Sequence, residues 1–301
     1  MTKRKYFYHS GDILKGSICV LTASLLFGLL PSITLNSYQG GINVLTMQSL
    51  KYLLVTAILL PFSLLRYFRH LPPLKTALKL LAASGILYAL QALLYAYSVT
   101  YIPVALSVLL LFTYPILVSL MEMLAGRETF HLKSGLLLAS VFASLCFALF
   151  RPNWEISITG VFCALAASFS YALYVLSLNR LSHAMPAPLT NTFVNAGPAV
   201  TITLFSCLTG KFQLDFAPFT WWFILFNVLL GGIAGYYLWL KGLKLLGPVV
   251  TSALSMTEPL FAILASAVLL GQAVTLNELI GGICFLVLLT LFTRSLEKSG
   301  G

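Results

Sequence analysis

The amino-acid sequence predicts an all-α integral membrane protein: ten transmembrane helices arranged as two inverted five-helix repeats. Three observations carry that prediction. Only 9% of the 301 residues are charged and 59% are apolar, with a mean hydropathy of +0.95; a water-facing domain carries about 25% charged residues. The apolar residues fall in continuous runs of about 20, the length that crosses a hydrocarbon layer. The chain also resembles itself at an offset of 144 or 145 residues.

The first five segments are expected at Ile13–Asn36, Asn43–Leu65, Thr76–Thr100, Ile102–Leu124 and Leu132–Phe150. The second five are expected at Ile156–Asn179, Pro188–Thr209, Phe219–Leu240, Gly247–Leu270 and Leu276–Thr293. The 42 residues between Lys79 and Glu122 contain no Asp, Glu, Lys or Arg. That is about twice the spanning length, so two helices and a turn near Thr100–Pro103 must share it. A membrane β-barrel would instead show alternating segments of about ten residues. The first segment follows Lys3, Arg4 and Lys5, but its apolar run is too long for a signal peptide and no small-residue cleavage site follows, so it is expected to be retained.

A net charge of +10 raises nucleic acid as a partner, and the placement of the charges rejects it. With the amino terminus inside, fifteen of the basic residues fall on inner loops and tails, and only Arg151 and Lys211 on outer ones. This positive-inside bias supports an even number of spans, so both termini are expected in the cytoplasm. The partners expected are therefore the lipid bilayer and a small-molecule substrate. The five cysteines have no metal-ligand spacing, the histidines (His9, His70, His131, His183) lie in tails or loops, and no cofactor is implied.

The repeat is read directly from the residues. Tyr101-Ile102-Pro103, then Phe112-Thr113-Tyr114-Pro115, matches Leu246-Gly247-Pro248, then Met256-Thr257-Glu258-Pro259. Gly126 answers Gly271, and Gly16–Cys19 answers Gly160–Cys163. Five spans is an odd number, so the second copy enters from the opposite face and is inverted.

This unit, with a proline before its fourth span, a Tyr-Pro or Glu-Pro pair in mid-span and a closing glycine, resembles the EamA domain of the drug/metabolite transporter superfamily. The resemblance covers nearly the whole chain and divides it into copies at residues 13–150 and 156–293. It implies a secondary active transporter, an exporter of a small metabolite, amino acid or drug-like compound across the cytoplasmic membrane by alternating access. The acidic residue that usually follows the closing glycine stands here as Glu128, two places after Gly126, and as Gln272 in the second copy.

Glu258 is the most informative residue, because an ionised carboxylate in mid-span costs several kcal/mol. Thr251, Ser255 and Glu258 are spaced i, i+4, i+7 and share one helix face. Glu258 reads as a proton-coupling carboxylate, as an anchor for a substrate amine, or as a structural group. Lys51 is the one basic residue well inside a span; snorkelling to the interface is the favoured reading, with coupling to Glu258 or contact with a substrate carboxylate as the others. Ser84, Tyr88, Gln91, Tyr95 and Ser98 form a polar stripe on the third span, and Gly232, Tyr236, Trp239 and Gly242 a matching one on the eighth. Tyr114, the repeat partner of Glu258, is the next candidate for a substrate-binding wall, followed by Tyr171 and Tyr174. Gly28, Pro31, Gly197, Pro198 and Gly231 read as hinges or as close-packing points. Gly281-Gly282 leaves open whether it packs a homodimer or the protomer's own bundle.

Other functions fit less well. An intramembrane enzyme needs a convergent motif such as HExxH or a nucleophile elbow, and neither is present. A Walker motif is absent as well. A receptor or structural subunit on a duplicated bundle is the alternative, but the short loops leave no room for an added domain.

Overall fold

The computed structural model describes residues 10–126, 132–150, 157–182, 185–271 and 273–299. Glu128, His131, His183, Gln272, Lys3–Lys5 and the loop from Arg151 to Ile156 lie outside the described residues. Within them the chain is all-helical, at 85% helix with no strand.

The helices follow the apolar runs. In the first half these are α1 (Ser10–Tyr38), α2 (Val44–Tyr67), α3 (Leu74–Ala82), α4 (Ala89–Ser98), α5 (Val104–Leu111), α6 (Tyr114–Leu124) and α7 (Leu132–Leu149). The second half has α8 (Ile158–Leu181), α9 (Ala187–Leu208), α10 (Thr220–Phe226), α11 (Tyr236–Ser255), α12 (Glu258–Leu270) and α13 (Leu276–Ser299). Prolines at the N-caps of α3, α5 and α9 (Pro73, Pro103, Pro186) start those helices with extended backbone, since a proline has no amide to donate.

Among the described residues six runs are long and apolar enough to cross a membrane: Gly11–Tyr38, Val44–His70, Leu74–Ser98, Val104–Leu124, Ile158–Leu181 and Thr220–Ser255. Gly135–Leu149, Glu258–Leu269 and Leu276–Phe292 are shorter apolar helices. α9 carries Thr190, Asn191, Thr192 and Asn195, all buried, which lower its hydropathy.

Two kinds of irregularity recur in both halves. A π-helical stretch, Ala83–Tyr88, joins α3 to α4, and another, Asn227–Gly235, joins α10 to α11. A tightened turn separates α5 from α6 at Phe112–Thr113 and α11 from α12 at Met256–Thr257. In each turn the threonine hydroxyl donates back to a carbonyl three residues earlier, Thr113 to Leu110 and Thr257 to Leu254, both at 2.7 Å. Pro115 and Pro259 sit just inside the helix that follows, where a missing amide costs nothing.

The packing repeats as well. α1 lies against α11 and α12, while α8 lies against α4, α5 and α6; α2 packs on α9 and α7 on α13. Glycine makes the tightest of these approaches possible. A Cβ on Gly242 would fall 2.2 Å from Val20 of α1, and one on Gly197 would meet the backbone amide of Gly85 at 2.5 Å. Gly281 lies on Ala148 of α7, within the protomer's own bundle. Outside the bundle, Asn43 Nδ2 donates to the Lys211 carbonyl at 2.7 Å and the Ala217 amide to the Gly40 carbonyl at 2.9 Å. These bonds tie the turn after α1 to the segment before α10.

Candidate functional site

The broken helices converge on a cavity of about 470 Å³, within the range of small-molecule sites. It runs from Glu258 in mid-bundle to Leu35 and Tyr38 at the end of α1 and Met47 near the start of α2.

Glu258 is the first residue of α12. The dipole of a helix start favours a negative group there, which makes the position more tolerable for a carboxylate. Gly28 lets α1 lie directly on this turn: a Cβ at residue 28 would come within 2.9 Å of the Glu258 carbonyl oxygen and 2.7 Å of the Phe261 Cβ. Gly28 and Gly197 thus serve close packing, while Pro31 and Gly231 contribute to the cavity wall.

Lys51 lies on the wall with its ammonium 4.6 Å from the centroid of the Tyr52 ring, a cation–π arrangement. This corrects the snorkelling expectation, because the nitrogen stays at the cavity rather than reaching for an interface. Lys51 and Glu258 make no ion pair among the described residues; the pair that is present, Arg180–Glu122 at 3.4 Å, lies away from the cavity.

Aromatic side chains build most of the remaining wall. The hydroxyl of Tyr52 donates to that of Tyr88 at 2.9 Å. Tyr171 meets Tyr114 edge-on, with ring centroids 4.6 Å apart, and stacks on Tyr174. The hydroxyl of Tyr236, which lines the cavity, bonds to that of Tyr174. Trp239 donates its indole N–H to Ser255 Oγ at 3.0 Å, and Ser255 donates onward to the Thr251 carbonyl at 2.9 Å.

The two π-helical stretches aim this wall. A π turn leaves carbonyls without their usual partners, and in an apolar bundle these must be satisfied. Ser170 Oγ donates to the Leu87 carbonyl at 2.8 Å. Asn191 Nδ2 donates to the Gly232 and Ile233 carbonyls at 3.1 and 3.2 Å.

Of the residues singled out in the sequence, Lys51, Tyr88, Gln91, Tyr95, Tyr114, Tyr171, Gly232, Tyr236, Trp239, Ser255 and Glu258 all line the cavity. Thr251 does not. It lies in α11 one turn before Ser255, is buried, and its hydroxyl has no hydrogen-bond partner among the described residues. Ser84 also leaves the expected stripe: it lies at the start of the π-helical stretch and points at α9, bonding the Leu80 carbonyl. Ser98 bonds back to Tyr95, Gly242 packs on α1, and Tyr174 stands behind Tyr171. The cysteines are not uniformly buried either, since Cys207 and Cys284 are exposed on the bundle surface. Among the described residues no three His, Cys, Asp or Glu side chains gather as a metal site needs.

Sequence reasoning missed Phe27, Gln48, Tyr52, Asn195 and Asn227, which also line the cavity. The repeat held the signal for two of them: at the offset of 144, Phe27 corresponds to Tyr171 and Asn195 to Lys51.

The family model of the EamA-like transporters matches the chain twice, at residues 14–150 and 158–294. The chain belongs to the EamA-like transporter family. Solved structures share this EamA fold. One crystal structure, 18% identical, covers 94% of this chain and 98% of its own length with a TM-score of 0.76. No curated protein matches the chain. As an EamA-like protein with several long apolar helices, it is a multi-pass membrane protein.

Proposed function

We propose that this EamA-like protein is a secondary active exporter that moves a small metabolite, amino acid or drug-like compound across the cytoplasmic membrane by alternating access. The observation that carries the reading is the cavity, walled by equivalent elements of both halves and holding Lys51 and Glu258, which form no ion pair among the described residues. A charge without a partner inside a span is costly and marks a functional position. A carboxyl that holds either a proton or a substrate ammonium makes the two compete, and that competition couples export to proton entry.

Ten spans fit the observed helices. At 1.5 Å per residue the 36-residue run Thr220–Ser255 is about 54 Å long, far more than one crossing. It breaks at Gly247, whose φ is 70°, and its second part continues through α12. Five spans then fall in each half, which inverts one half relative to the other and leaves both termini cytoplasmic. Reporter fusions at Gly301 and within Arg151–Glu155 should give opposite-side signals; same-side signals reject ten spans.

Purified protein in proteoliposomes, loaded with a panel of labelled metabolites, tests the transport reading. The expected result is exchange of a chemically related subset, accelerated by an imposed pH gradient. Exchange of no member above the empty-liposome rate rejects it.

A further inference from the structure

Between α2 and α3 the chain turns through an elbow whose charges are all of one sign. α2 gives way to a short 3-10 turn, Phe68–His70, and Pro72-Pro73 holds the backbone out of helix until α3 begins at Leu74. Arg66, Arg69, Lys75 and Lys79 fall within this elbow, and all four are exposed. No Asp or Glu occurs between Asp12 and Glu122, and Glu122 is buried and paired with Arg180. The main elements packed on α2 and α3, namely α8, α9, α10 and both π-helical stretches, contain no carboxylate either. None of the four cations has an ion pair among the described residues. Lys75 and Lys79 stand one turn apart on α3, where like charges repel.

The same elbow bares large apolar side chains. Leu65, Phe68 and Leu74 are 88%, 69% and 75% exposed. A surface meeting only water would not set its cations among bare leucines, and one meeting only hydrocarbon would not carry the cations. The boundary between the two accepts both, because the alkyl stems of Lys and Arg lie along acyl chains while their heads reach the phosphates. The elbow joins two runs that are each long enough to cross a membrane, Val44–His70 and Leu74–Ser98. It therefore stands at that boundary, on the cytoplasmic side in the proposed topology. Four cations there, without a compensating acid, attract the anionic headgroups of that leaflet.

We propose that the α2–α3 elbow binds an anionic phospholipid of the cytoplasmic leaflet, its phosphate among the four cations and its acyl chains against the exposed leucines. The elbow joins the helix that carries Lys51 to the one that leads, through the π-helical stretch, to Tyr88, so the lipid holds together the cytoplasmic ends of two cavity walls. Binding at the elbow does not depend on what the cavity transports.

The test is native mass spectrometry of the full chain in detergent, titrated with phosphatidylglycerol and with phosphatidylcholine of the same acyl chains. The wild type should bind phosphatidylglycerol at least about tenfold more tightly. Lys75→Gln with Lys79→Gln should shrink that preference by at least about fivefold, and adding Arg66→Gln and Arg69→Gln should abolish it. Lys75→Arg with Lys79→Arg keeps the charge and should keep the preference. Lys15→Gln with Lys241→Gln removes two charges from exposed positions on α1 and α11 and should leave the preference unchanged. Each protein is scored on the ratio between the two lipids, so partial loss of folded protein cancels. Equal binding of the two lipids by the wild type would overturn the proposal and leave the elbow to a partner outside the bilayer. An equal fall in the Lys15 and Lys241 double variant would show attraction to the positive face at large and would overturn the elbow as the site.

Discussion

Glu258 and Lys51 show how single charged side chains are held in an apolar bundle. The carboxylate sits at the start of α12, where the helix end offsets part of its desolvation, and the ammonium lies over the face of Tyr52. Neither arrangement neutralises the charge, so both groups stay available to a proton or a ligand. Glu258→Gln keeps the size and the hydrogen-bonding capacity but cannot titrate. Folding and insertion should survive, with a detergent melting temperature close to wild type, while accumulation driven by a pH gradient should fall to the leak rate. Normal gradient-driven accumulation by Glu258→Gln would make the carboxyl structural.

The helices themselves are irregular where they meet the cavity, and each irregularity is stabilised from a distant part of the chain. Asn191 donates to the Gly232 and Ile233 carbonyls of the π-helical stretch Asn227–Gly235. Asn191→Ala should remove that donor at a cost of about 1–3 kcal/mol, and should therefore lower the melting temperature while a substitution at the exposed Gln39 leaves it unchanged. An unshifted melting temperature would show that another donor takes over. This dependence also explains what could be read in advance. The order of the helices, the breaks beside Pro115 and Pro259, and most of the cavity wall follow from hydropathy, proline chemistry and the repeat. The π turns do not, because the groups that satisfy them, Ser170 and Asn191, lie tens of residues away in sequence and meet them only in the folded bundle. That change of register is why Ser84 was placed on the wrong face. Asn195 was legible in principle, as the repeat partner of Lys51, but a lone asparagine carries no charge to draw attention to it.

At the scale of the whole molecule the packing sorts the helices into two groups with the cavity between them. α1, α11 and α12 form one, while α8 with α4, α5 and α6 forms the other; the pair α2–α9 flanks both. The cavity reaches the end of α1 and the start of α2, and beside its Tyr236 wall Tyr174 of one group bonds Tyr236 of the other. Leu178 and Leu240, one turn further along α8 and α11, are buried. In the proposed alternating-access cycle this seam parts as the mouth closes, which makes the two hydroxyls the proposed latch on the present state. Tyr174→Phe removes one of them and leaves the Tyr236 hydroxyl without its partner in a site where Tyr236 is 8% exposed. A buried hydroxyl left unpaired costs about 1–3 kcal/mol, enough to change the ratio of the two states by about fivefold or more. Spin labels can report that ratio: Gln39→Cys follows the end of α1 in one group, and Tyr101→Cys follows the end of α4 in the other, and both native residues are exposed. In a cysteine-free background, electron–electron resonance should show the population of shorter distances growing in Tyr174→Phe. A distribution that stays the same, or moves to longer distances, would mean that the tyrosine pair is not the latch between the two groups.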